Sequence, residues 1–471
     1  MKTDQIGPAL QDKLGTDCVI ANAQDIAAWT TDWRGMYRGQ AAAVVRPRTA
    51  RQVSECVAFC SANRIPVIPR GGNTGLCGAA TPDDNPANVV ISLDRMNAVK
   101  RIDPLANTMV AEAGCILGDL QRAVAEHDRL FPLSLAAEDS AQLGGNLATN
   151  AGGVNVLRYG MARDLVLGLE VVLPSGEIWN GLRTLRKDNT GYDMKHLFLG
   201  SEGTLGIITA AALKIFPATP ARAVTLVAVE SAQQALALLS VFQRYCGHQI
   251  DAFEYFSGAC LELVLETNQA LRSPFAGRHK GYVLIEVAGG GQEETLQQLV
   301  ENALSESFER GTCIDAVIAT SSSQAQALWQ LREDISEAQR IDGPHLKHDI
   351  SLPIERISEF IDITEERLFA LDAGIRLYVF GHFGDGNLHY NLSRPRNSAA
   401  DYFKNGKGDA LTDLIMEQVA SLGGSFSAEH GVGQLKRKYL RAYKSDLELR
   451  MMEGIKKMLD PAGIMNPGKI F

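Results

Sequence analysis

The chain has no pair of cysteines at Cys-X-X-Cys spacing. Its eight cysteines stand at 18, 56, 60, 77, 115, 246, 260 and 313, which argues against a zinc ribbon or an iron–sulfur cluster. Cys56 and Cys60 fall with Val53 and Val57 on one helical stripe, so core packing is their expected role. No stretch approaches the ~18 apolar residues of a membrane span. The opening MKTDQIGPALQDKLG is acidic and polar where a secretory signal has an apolar core. The expected localisation is therefore cytoplasmic, with no integral membrane segment. An excess of positive charge is missing as well. The formal net charge of -9 argues against a nucleic-acid partner or a polybasic membrane anchor, since either needs a dense Lys/Arg surface. An acidic substrate must then be caught by local cations. Heptads, low-complexity tracts and fixed-period repeats are absent.

What is abundant is glycine: 44 residues in 471, above the average of about 7%, which suggests backbone in close contact with something. A chain of this length is expected to form two or three domains. AAAVVRP, a helix around 51 to 63, IPVIP, NVVISL and NTMVAEAG alternate apolar runs with Gly and Pro punctuation, the texture of an α+β domain. LKIFPATPAR, at 213 to 222, is a plausible boundary. Beyond it TLVAVE, helix 231 to 245, QIDAFEYF, helix 258 to 267, YVLIEVA and helix 292 to 309 read as a second α+β domain. The expected division is an N-terminal segment 1–39, a first domain 40–218, a second 219–430, and a helical C-terminal segment 431–471 returning to the first.

Three glycine loops lie in the first domain. Pro69 to Gly78 (PRGGNTGLCG) follows a strand, so consecutive glycines can turn sharply and aim backbone N–H groups at an anion such as a pyrophosphate. Leu143 to Asn155 (LGGNLATNAGGVN) would admit a flat ring or a diphosphate, and Gly200 to Thr209 (GSEGTLGIIT) repeats the theme. A tight turn explains any one loop; three in one domain point to a ligand. None fits the strand-GxGxxG-helix or GxxxxGK[ST] pattern, so another cofactor fold is needed.

Gly381 to Asn391 (GHFGDGNLHYN) follows the apolar run IRLYVF and has hairpin-turn chemistry at FGDG. His382 would then sit opposite Asn387, with Asn387, His389 and Asn391 on one face. Either imidazole alone reads as an ordinary polar hairpin residue, but both could converge on one metal. Ser425 to Gly433 (SFSAEHGVG) adds Glu429 beside His430; a His/His/carboxylate set suits zinc, with manganese or iron(II) open. In WQLREDISEAQRIDGPHLKHDIS, Arg332 and Ser336 are four apart on a helix and Lys347 follows the Gly343-Pro344 break. A guanidinium and an ammonium together can hold carboxylates; the same stretch also reads as a solvated helix with ion pairs.

Taken together, these segments resemble the FAD-binding oxidoreductases of the vanillyl-alcohol-oxidase type, from about residue 40 to the NPGKI end. The branch resembled contains D-2-hydroxyglutarate dehydrogenase, D-lactate dehydrogenase and the flavin subunit of glycolate oxidase. The fold implied is α+β: a two-part FAD-binding domain, an α+β substrate domain and a helical C-terminal cap. The resemblance assigns the FAD diphosphate to Arg70, Gly71, Gly72, Asn73, Thr74, Gly75 and Leu76. It places Pro132, Leu133, Ser140, Gly144, Gly145, Asn146, Thr149, Asn150, Gly152, Gly153 and Gly160 around the diphosphate and flavin. The adenosine part goes to Glu202, Gly203, Gly206, Ile207 and Ile208, and Asn466 lies near the isoalloxazine. Relatives with covalent FAD carry a histidine where this chain has Asn73, so non-covalent FAD is expected. AAEDSAQLGG departs from the family pattern, which has a glycine before Ser140.

The resemblance further implies a divalent metal, zinc first, on His382, His389 and Glu429, with His430 acting on substrate. Arg332, Ser336, Lys347 and Asn391 would bind the acid, serine standing where threonine is usual. The expected reaction is oxidation of a D-2-hydroxy acid: His430 takes the hydroxyl proton, the metal lowers that proton's pKa, and flavin N5 takes the hydride. D-2-hydroxyglutarate ranks above D-lactate or glycolate because two cations await two carboxylates. A non-catalytic flavin-binding electron carrier is the more distant alternative. An electron-transfer flavoprotein, a quinone or a cytochrome would take the electrons onward, and a homodimer is left open.

Overall fold

Helix Ala50–Asn63 begins where Thr49 accepts a hydrogen bond from Gln52 N, buries Val53, Cys56, Val57 and Cys60 completely, and ends at Arg64 in a left-handed conformation. It leads into strand Val67–Arg70, which lies parallel to Val89–Ser92; that strand in turn lies parallel to Ala43–Val45, with Val19–Ile20 antiparallel at the edge. Parallel pairing demands a crossover, and this helix supplies one. A second sheet, wholly antiparallel, has the strand order Val99–Asp103, Thr108–Glu112, Ile207–Lys214, Val166–Val172, Ile178–Gly181.

These sheets belong to the first of two units in the computed structural model, which describes residues Met1–Phe471. The first unit comprises Met1–Gly152, Gly160–Pro217 and Glu429–Phe471; the second comprises Gly153–Tyr159 and Ala218–Ala428. Within the first, the last residues of the chain lie along strand Val67–Arg70: Met465 bridges Val67, and Asn466 N donates to Val67 O at 2.8 Å.

The second unit is built on an antiparallel sheet of eight strands. Seven run in the order Asp315–Ile318, Ala221–Val229, Gly281–Gly289, Ile250–Ser257, Arg376–His382, Asn387–Ser393, His345–Leu346, and Asp349–Ser351 also pairs with Asn387–Ser393. Every residue of Gly281–Gly289 is buried, so this central strand is apolar almost throughout, as burial on both faces requires. Helix Ala232–Cys246, capped by Ser231, packs on helix Glu293–Glu309 and on the sheet. A core of Val224, Leu226, Phe256, Cys260, Leu284 and Phe380 lies beneath helices Gly258–Thr267 and Ser322–Glu333. Helices and antiparallel strands segregate in this way in α+β proteins. All eight cysteines are buried free thiols, and no helix is long and apolar enough to cross a membrane.

Phe256 is wholly buried and stacks on Tyr282 at a centroid distance of 5.6 Å. Phe256→Ala should cost about 3–5 kcal/mol, lowering the urea midpoint of the second unit's transition; an unchanged midpoint would remove Phe256 from the core argument.

Candidate functional site

In the first unit the glycine loops meet backbone to backbone. A Cβ on Gly72 would lie 2.0 Å from Ser140 O, and one on Gly71 would lie 3.5 Å from Gly145. Only glycine at position 72 permits this approach. Asn73, φ 56°, donates from Nδ2 to Thr31 O at 3.3 Å; Gly75 O accepts from Trp33 Nε1, and Leu76 O from Arg34. Thr74 is half-buried beside them. Arg70 donates to Trp29 O at 2.7 Å and stacks over that indole, and burial lowers its guanidinium pKa.

The second loop opens helix Leu143–Ala148 at Gly144 and Gly145. Thr149 Oγ1 donates to Gly145 O, and Asn150 Oδ1 accepts from Arg163 N at 2.9 Å. Pro132, Leu133 and Gly152 are buried, Ser140 is exposed, and Gly160 has φ 78°. Gly153 and the two loop residues after it fall in the second unit. Gln142 Oε1, Asn146 Nδ2 and Asn466 Oδ1 are among eight buried polar atoms of the first unit that have no hydrogen-bond partner. Unpaired buried groups are costly in a finished core, and a ligand's polar atoms could satisfy these three.

The third loop ties the others to the chain's end. Gly203, Gly206, Ile207 and Ile208 run into strand Ile207–Lys214. Glu202 adopts φ 50°, and its backbone O accepts from Asn466 Nδ2 at 2.7 Å. Its carboxylate accepts from Val432 N at 2.6 Å and Gly433 N at 2.7 Å. Burial raises the Glu202 pKa, while these N–H groups and the ammoniums of Lys436 and Lys469 oppose the rise. The side chain therefore serves the segment that follows His430. That segment needs its glycines: Gly431 and Gly433 have φ 73° and 51°, and a Cβ on Gly433 would lie 2.1 Å from Cys77 O. Glu429 and His430 lead into it, both half-buried.

In the second unit the hairpin forms with its turn at 383 to 386. Phe380 pairs with His389 and Tyr378 with Asn391, the register that sets His382 opposite Asn387. The ring centroids of His382 and His389 are 5.9 Å apart, and each ring offers a nitrogen within 4.8 Å of the other's. An Asp349 carboxylate oxygen is also within 4.8 Å of a His389 nitrogen.

His382 Nδ1 bonds to Oε1 of Glu254, which is completely buried; Oε2 of Glu254 accepts from Arg332 Nε at 3.0 Å and pairs with Nη2 at 2.8 Å. Burial would raise the Glu254 pKa, but His382 and Arg332 outweigh it and hold the carboxyl at about 2. Arg332 also lies over Phe380, 4.9 Å from the ring centroid. The helix carrying Arg332 stops at Glu333, and a second begins at Ile335, so Arg332 is buried while Ser336 is exposed. The helix expected to carry both residues is thus two helices, with a turn at Asp334 between Arg332 and Ser336. Lys347 is exposed between strands His345–Leu346 and Asp349–Ser351. Asn391 is engaged at both ends, accepting from His348 N at 3.1 Å and donating to Gln339 Oε1 at 2.9 Å.

Sequence reasoning missed Glu254. Its signal was a carboxylate amid the apolar residues of AFEYF, which can be buried only with partners.

Residues 41–181 match the family described as FAD binding domain, and residues 218–470 match FAD linked oxidases, C-terminal domain. The chain belongs to the FAD-linked oxidase family. It is 37% identical over 461 residues to the mitochondrial D-2-hydroxyglutarate dehydrogenase of Arabidopsis thaliana, covering 97% of this chain and 80% of the relative. It is 38% identical to that of Rattus norvegicus, covering 96% and 82%. p-Cresol methylhydroxylase shares the fold, with TM-score 0.76 at 17% identity over 99% of this chain and 96% of that one. The expected fold type, FAD dependence and hydroxy-acid dehydrogenase class are thus shown. The expectation of a cytoplasmic chain is overturned, since these relatives are named as mitochondrial enzymes and point to the mitochondrion. Lack of an apolar segment bears on membrane insertion, not on which aqueous compartment holds an enzyme.

Gly72→Ala would force the first two loops apart. The variant should purify with well under one flavin per chain while keeping its far-ultraviolet spectrum; a full flavin complement would show that the loop contact does not shape the cofactor site.

Proposed function

We propose that the chain oxidises D-2-hydroxyglutarate to 2-oxoglutarate, using non-covalent FAD and a divalent metal. The observation that carries this reading is His382, beside His389 and joined through Glu254 to Arg332, in a chain whose relatives are D-2-hydroxyglutarate dehydrogenases.

The residues present fit both groups. For FAD, the Gly72–Ser140 contact leaves backbone uncovered by side chains, and Gln142, Asn146 and Asn466 carry unpartnered polar atoms. Arg70 to Leu76, Gly144 to Gly153 and Glu202 to Ile208 are its proposed holders, with Asn73 in place of a linking histidine. For the metal, Glu254 occupies Nδ1 of His382 and leaves Nε2 as the ligand atom. His389 is the proposed second ligand and Glu429, from the family resemblance, the proposed third. Two imidazoles and a carboxylate suit zinc, with manganese and iron(II) the other candidates. When bound, FAD supplies a hydride acceptor and the ion a Lewis acid that acidifies the substrate hydroxyl.

His430 accepts the hydroxyl proton, on a segment anchored by the Glu202 carboxylate. Arg332 keeps Nη1 for a substrate carboxylate, its other edge being held by Glu254. Ser336 and Lys347 are assigned to the acid as well, Lys347 to the far carboxylate of a diacid. Asn391, engaged by His348 and Gln339, supports the hairpin rather than gripping substrate directly. An electron-transfer flavoprotein is the proposed acceptor.

Anaerobic bleaching of the flavin by D- and L-2-hydroxyglutarate, D-lactate, D-malate and glycolate tests the scheme. The D-diacid should bleach fastest, EDTA should abolish bleaching and added zinc restore it. Bleaching by D-lactate alone would move the substrate; indifference to EDTA would remove the metal. His430→Ala should lose about 10² to 10⁴-fold in rate while keeping FAD, and full activity would remove His430 from the mechanism. Lys347→Ala should raise KM for the diacid far more than for D-lactate; equal effects would cancel that assignment.

A further inference from the structure

Glu254 is paired directly across the sheet with His382, since strands Ile250–Ser257 and Arg376–His382 match these two residues in register. The contact is therefore set by backbone ladders and not by two side chains that happened to meet. Arg332 reaches the same carboxylate from a helix, 78 residues further along the chain, and its guanidinium is braced on Phe380, two residues before His382 on the same strand. The carboxylate has no exposure to solvent, so water cannot replace either partner.

We infer that Glu254 is a positioning residue that couples the metal half of the site to the substrate half. This rests on the functional reading above. By accepting a hydrogen bond from Nδ1–H, Glu254 selects the His382 tautomer that carries its lone pair on Nε2. By holding Nε and Nη2 of Arg332, it fixes which edge of the guanidinium remains for an acid. One carboxylate with two acceptor oxygens can do both. An amide cannot, because its nitrogen donates and would meet either another donor or the wrong tautomer of His382.

Glu254→Gln therefore turns the amide nitrogen toward one of the two links. If it faces His382, Nδ1 must accept, the ring proton moves to Nε2, and the ligand lone pair is lost. If it faces Arg332, donor opposes donor and the guanidinium loses its brace. Either way the two halves can no longer both be satisfied.

The experiment measures zinc affinity of the purified flavoprotein by chelator competition, alongside KM for D-2-hydroxyglutarate, flavin content and melting temperature. Zinc affinity of Glu254→Gln should fall 10 to 100-fold, or KM should rise about tenfold or more, with flavin content unchanged. Wild-type zinc affinity together with wild-type KM would overturn the inference. Should this variant fail to fold, Glu254→Asp keeps the charge but withdraws it by one methylene. Weakening of zinc binding and of KM together is then expected, and loss of neither, or of one alone, overturns the coupling. A wild-type protein that binds no zinc would instead sink the metal reading itself, which separates the two failures.

Discussion

The two oxygens of the Glu254 carboxylate hold an imidazole at one end and a guanidinium at the other, all three groups buried. A carboxylate removed from water loses far more hydration than any single hydrogen bond returns, and it persists ionised only when cations and donors surround it. The direction of its pKa, down to about 2 despite complete burial, shows the surroundings winning. The arrangement constrains its partners in turn. Arg332 cannot swing to follow a ligand without stranding Glu254, and His382 cannot exchange tautomers without losing its bond. The geometry of the second unit's polar cluster is thus preorganised by a desolvation penalty.

The first unit uses a buried carboxylate differently. Glu202 takes its hydrogen bonds from backbone N–H groups, Val432 and Gly433, so it fixes a path of the chain and not the state of a side chain. Here burial wins over the donors and the pKa rises. The contrast is physical: neutral amides stabilise an anion less than an arginine does at the same distance. Glu202 therefore works as a fastener between the third glycine loop and the segment after His430, and the left-handed glycines at 431 and 433 let that segment bend around it.

Local chemistry was the part of this structure that could be read in advance. The FGDG turn and the period of two along Asn387, His389 and Asn391 depend only on neighbouring residues, and the hairpin register follows from them. The glycine loops were legible because the absence of a Cβ has few other uses, and Gly72 against Ser140 realises that directly. Glu254 was not legible as a partner because it lies 128 residues from His382 and 78 from Arg332. Nothing in the spacing of Arg332 and Ser336 disclosed the helix break at Asp334 that buries one and exposes the other. Compartment was misread because the lack of an apolar segment bears on membrane insertion and not on which aqueous compartment holds an enzyme.

The pairing of Arg332 with Glu254 bears on how a negatively charged chain recognises an acid. An arginine whose charge is already matched by a buried carboxylate adds little net attraction; what it adds is a donor in a fixed place. The net field drawing a dianion inward must come from elsewhere, and in the proposed reading that means the divalent ion and Lys347. These two differ in what they discriminate. An ion held by His382 and His389 would supply charge for the hydroxyl and adjacent carboxylate that every 2-hydroxy acid carries, so it could not tell one acid from another. Only a cation placed for a second carboxylate favours a diacid over lactate. In this reading the exposed Lys347 decides which acid is oxidised, while the buried network decides that an acid can be oxidised at all.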